Sequence, residues 1–136
     1  MSDVLKFAHE QNLSRLVDQL RGEADEARRD VLRRLLVEEE ARFGGPLGRL
    51  DSIAVRLADC ASRIEAQTAR VAVLAAEGED TREAARLLRN LEEIQTIFWG
   101  RREAIHAALR DGEVAAWSGR GPVDPSQGAG VAPEPG

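Results

Sequence analysis

"LDSIAVRLADCASRIEAQTARVAVL", residues 50–74, decides the fold. Leu50, Ile53, Leu57, Cys60, Ile64, Gln67, Val71 and Leu74 follow one another at alternating steps of three and four. A strand repeats every second residue, whereas a helix returns to one face every 3.6, so this spacing marks a helix with one apolar seam. Sustained over more than three heptads, it is the a/d pattern of a coiled-coil helix. Past residue 81 the pattern resumes with Ala84, Leu87, Leu91, Ile94, Phe98, Arg101, Ile105 and Ala108. Each segment is about thirty residues, or roughly 45 Å at 1.5 Å rise per residue. Equal lengths and a short connection predict a long antiparallel helical hairpin over residues 46–112.

The connection carries Glu77, Glu79, Asp80 and Glu83, which raises the question of a cation loop. A calcium loop needs oxygen ligands at alternating positions over twelve residues with a glycine at the sixth, and this spacing does not match. A turn accounts for each residue instead. Gly78 supplies a left-handed residue to end one helix. Asp80 caps the next by accepting the Glu83 N–H, and Glu83 reaches back to complete a capping box.

Working outward, residues 1–43 are expected to form two shorter helices. The first starts after Asp3 and runs to about Arg21 with Leu13, Leu16, Val17 and Leu20 as its stripe. Asp25 caps the second, which carries Val31, Leu32, Leu35, Leu36 and Phe43 on one side. "FGGPLG" ends it, and Pro46 suits the first turn of the long helix. Residues 118–136 hold four of the five prolines and no apolar periodicity, so they are expected to be a disordered tail. The fold class expected is therefore all-α: two short helices and a long coiled-coil-like hairpin in a bundle.

Composition sets limits on function. The net charge of -5 argues against nucleic acid as a bulk partner. The single cysteine excludes an intrachain disulfide and a cysteine-based zinc site. "MSDVLKFAHEQN" lacks a signal-peptide apolar stretch and no run is long enough to span a membrane, so a cytoplasmic location is expected. Arginine supplies 18 of the 19 basic residues, a bias that the codons of a GC-rich genome explain. No Ser/His/Asp or Cys/His arrangement and no phosphate loop can be assembled, so no catalytic residue, metal site or cofactor is expected.

Three features remain as candidates. Glu103 and His106 place a carboxylate and an imidazole on one helix face, as in di-metal carboxylate bundles, and a homodimer would supply the second pair. The facing seam near Leu50–Leu57 is apolar, however, and offers no companion glutamates. Arg49, Arg56, Arg63 and Arg70 recur every seventh residue at g positions beside the seam. They suit a solvated face, a contact with acidic groups such as Glu38–Glu40 or with another helix, or a small nucleic-acid-binding bundle. In an antiparallel pair only Arg70 meets an opposite charge, Glu83. The third feature is apolar surface in excess of what two helices cover: Leu88, Ile97, Trp99 and Leu109, with Phe98 and Trp99 placed at an interface. At the e positions Ala54, Ala61, Thr68 and Ala75 widen the seam and allow close approach of another helix.

Two stretches carry a resemblance. "LRGEADEARRDVLRRLLVEEEARF" and "SRIEAQTARVAVLAAEGEDTREAARLLRNLEEI" resemble short helical modules of small uncharacterised bacterial proteins, and together cover about 60 residues. Relatives of the first often carry proline after the capping aspartate, where this chain has Glu26. The resemblance implies a helical hairpin and no activity. The expected role is a non-catalytic protein–protein interaction or adaptor bundle, self-associating as a homodimer.

Overall fold

The computed structural model describes the backbone of residues 3–120 and the side chains of residues 3–112. That range is all-helical: α1 Asp3–Gly22, α2 Glu26–Arg42, α3 Pro46–Ala76 and α4 Arg82–Arg120. Residues 118–120, expected in the tail, continue α4, and residues 121–136 lie outside the described residues. By its contacts the chain divides into two units, Met1–Arg102 and Glu103–Gly136.

Local chemistry sets the helix boundaries. The Asp25 carboxylate accepts the Arg28 N–H at 3.0 Å and caps α2. Pro46 opens α3, where its missing N–H costs nothing. Gly78 ends α3 at φ 74°, with Glu79 N–H bonded to Leu74 O and Gly78 N–H to Ala75 O. This is a Schellman closure, and it satisfies two of the orphan carbonyls of the last turn. The start of α4 differs from the expected capping box. Asp80 accepts the N–H of Arg82, two residues on, and chelates the Arg82 guanidinium. Glu83 pairs with Arg86 instead of reaching back. The strong Arg82 fork holds Asp80 one residue ahead of the true cap position.

Polar ties within the first unit fix the direction of every helix. Gln67 of α3 donates to Ala84 O of α4 at 2.9 Å, while Arg49 and Arg101 at the far ends share one carboxylate. The hairpin is therefore antiparallel, as expected. Glu10 meets Ser52 and Arg56, and Asp18 meets Arg63, so α1 runs beside α3 in the same sense. Likewise Arg29 and Arg33 meet Glu93, and Glu40 meets Arg101, so α2 runs beside α4. The α1/α2 hairpin thus lies over one face of the α3/α4 hairpin. Between them are Leu13, Leu16, Val17 and Leu20 of α1, Leu36 of α2, Ile53 and Cys60 of α3, and Leu91, Ile94 and Phe98 of α4.

The end of α1 has no local cap. Its last carbonyls are satisfied from other helices instead: Arg29 donates to Leu20 O, Asn90 to Arg21 O and Arg86 to Gly22 O. Arginine at this position also meets the negative end of the helix dipole.

Helix α2 departs furthest from its sequence pattern. Val31 and Leu35, expected on the core side, are 45% and 43% exposed. Arg29, Glu39 and Glu40 are buried in their place. Buried charges persist only when paired and hydrogen-bonded, and each of these three is.

Candidate functional site

The buried charges form three clasps. Glu40 takes Arg49 in a fork, both bonds 2.9 Å, and Arg101 at 3.0 Å. Burial would raise the Glu40 pKa, but the Arg49 and Arg101 hydrogen bonds outweigh it and hold the carboxyl below its ordinary range. Glu93 is bound by Arg33 and Arg29, with the same opposition between burial and those two guanidinium groups, and its pKa also falls. In the third clasp, His9 Nδ1 lies 2.8 Å from Glu39, and the imidazole meets the Phe43 ring edge-on at 5.3 Å.

These clasps absorb most of the arginine row. Arg49 binds Glu40, Arg56 binds Glu10 at 2.7 Å, and Arg63 sits between Asp59 at 3.0 Å and Asp18 at 3.7 Å. Because α1 and α3 run in the same sense, Glu10 and Asp18, two turns apart on α1, reach Arg56 and Arg63, two turns apart on α3. Arg70 does not meet Glu83, which belongs to Arg86. It is exposed, with no ion pair among the described residues. The row is therefore largely an internal contact between helices.

A cleft of about 710 Å³ opens between α1 and the beginning of α3. His9, Glu10, Glu40, Arg49 and Arg56 in its lining are all engaged in the pairs above. Lys6 and Asp51 also line it, and neither has an ion pair among the described residues. Among the described residues, no three His, Cys, Asp or Glu side chains come together in a way that could hold a metal ion. In the second unit Glu103 is exposed and His106 half-buried.

The apolar residues divide more informatively. Phe98 is 0% exposed, so it belongs to the core and does not face a partner as expected. Its neighbour Trp99 is 44% exposed, and Ile97 is half-buried on the flank nearer α2. On α3 the seam splits by position. The d residues Ile53 and Cys60 are buried, whereas the a residues Leu50, Leu57, Ile64 and Val71 are only half-buried. The e residues Ala54, Ala61 and Thr68 are exposed. Since α1 approaches α3 along the arginine edge, the a/e edge is the side turned away from it.

The matching edge of α4 carries Leu88, Gln95 and Trp99, opposite the flank where Glu93 meets α2. The outer face of the hairpin is therefore a strip of small and apolar residues interrupted by Thr68, Gln95 and Arg102. Leu47, 72% exposed, closes one end near Trp99. Small residues make the α3 edge a trough, and bulky ones make the α4 edge a ridge. Comparison of the chain with family models, curated proteins and solved structures finds no match. The strip must be read from its own chemistry.

The sequence places Phe98 in the α4 seam, where it is buried, and also at an interface, which its burial rules out. It offers Glu38–Glu40 as partners for the arginine row, of which Glu40 takes Arg49, and it gives no sign of the His9–Glu39 and Glu93 clasps. The only local signal was three consecutive glutamates, two of which end on an inward face.

Proposed function

We propose that this protein is a non-catalytic interaction module of the cytoplasm, a bundle that binds partner-protein helices in coiled-coil fashion along the outer strip of α3 and α4. The observation that supports this is the contrast between the two faces of the hairpin. On the inner face the buried Arg29, Glu39 and Glu40 each have a partner. On the outer face Leu47 and Trp99 stand exposed at the end of a half-covered seam. Contiguous apolar surface of this kind marks binding sites in soluble proteins. Among the described residues no helix is long and apolar enough to cross a membrane. The charged groups, largely held internally, are left to fix the fold and not to recruit polyanions.

The test uses a photoreactive amino acid placed in the full chain inside living cells. At Ala61 it lies on the strip, and at Arg34 on an exposed part of α2. Protein adducts are expected from position 61 and not from 34. Absence of any protein adduct at 61 would sink the proposal.

A further inference from the structure

The polar ties that align α3 with α4 also give the register of the strip. Arg49 is level with Arg101, and Gln67 with Ala84. Trp99 therefore stands level with Leu50 and Ala54, and Leu88 with Ala61. A ridge on one helix thus lies beside a trough on the other at matching heights.

We infer that the strip is a self-association face, on which a second copy of this chain docks about a two-fold axis parallel to the helices. The inference rests on the interaction reading above and names its partner. Rotation about such an axis sets α4 of each copy over α3 of the other and leaves heights unchanged. Leu88 then enters the trough at Ala61 of the second copy, and Trp99 the trough at Ala54. Every new helix neighbour is antiparallel, the arrangement of a four-helix core, and the contact is isologous as a closed dimer requires.

The area supports the same occupant. From Leu47 to Thr68 the strip is about 33 Å long at 1.5 Å rise per residue. Two helices 8–10 Å apart present a face roughly 20 Å wide. The footprint of about 650 Å², before surface roughness is added, approaches the roughly 800 Å² per partner of a stable interface.

Sedimentation equilibrium of the full chain tests the inference. A dimer is expected in the micromolar range. Ala54→Arg, which puts a charge in the exposed trough that takes Trp99, should give a monomer with unchanged helical circular dichroism. Val55→Arg, on the face of α3 that lines the cleft beside α1, should remain dimeric. If Ala54→Arg fails to fold, trimming the ridge with Leu88→Ala and Trp99→Ala should instead weaken dimerisation at least tenfold. Register is read by cysteine pairing: chains carrying Ala61→Cys and Leu88→Cys should cross-link when mixed and neither should when alone. A monomeric wild-type chain, or a dimer broken by Val55→Arg and not by Ala54→Arg, overturns the inference. Adducts at position 61 only to other proteins would overturn it too, yet leave the interaction reading standing.

Discussion

Glu40 is one of the side chains on which the packing of the helices turns. Its two oxygens gather Arg49 from the start of α3 and Arg101 from α4, and so join three helices at one point. Removing one member of a buried ion cluster leaves the others desolvated without a partner, a loss of about 3–5 kcal/mol. Both arginines keep some exposure, so Glu40→Ala is expected near the lower end, about 3 kcal/mol, measured by urea denaturation. Glu40→Gln should cost less, because an amide oxygen still accepts one guanidinium. The role of Glu40 was illegible in its own neighbourhood: its partners lie nine and sixty-one residues away, and nothing local separates it from exposed Glu38.

Among the elements, what could be read in advance was what local forces decide. The α3 seam, the Pro46 start, the Asp25 cap and the Gly78 stop all rest on interactions within a few residues, and all are present; the Asp80–Glu83 capping box, equally local, gave way to the Asp80–Arg82 and Glu83–Arg86 pairs. Gly78 makes a clean test because no atom would crowd an added Cβ there. Gly78→Ala should therefore cost only the left-handed backbone penalty, about 1–2 kcal/mol, read as a lower midpoint of thermal unfolding. Gly78→Asn should recover part of that. Elements whose orientation depends on distant partners were misread. Helix α2 presents charges inward because Arg29 meets the open end of α1 and Glu93, while Val31 and Leu35 turn outward. An apolar count along α2 favours the opposite face. The same limit hid the partners that the arginine row finds on α1. Phe98 and Trp99 point about 100° apart, so the seam position carries Phe98 into the core while Trp99 stays 44% exposed.

For the whole molecule, the clasps predict acid sensitivity. Glu40 and Glu93 both titrate below the ordinary carboxyl value of 4.5 in the folded chain. Above that value they are ionised whether folded or not, and their stabilisation is fully present. As pH falls below 4.5 the unfolded chain takes up protons first, so stability declines until the folded carboxylates protonate as well. Thermal midpoints should thus be level from neutral pH to about 5 and drop below it. In Glu40→Gln the drop should be shallower, since one of the two titrating groups is gone. A different consequence follows from the uncapped end of α1. Arg29 of α2 reaches the Leu20 carbonyl, but those of Arg21 and Gly22 take their donors from Asn90 and Arg86 of α4. A ribosome that has released only residues 1–43 therefore presents a pair whose first helix ends on two open carbonyls, and they close when α4 follows.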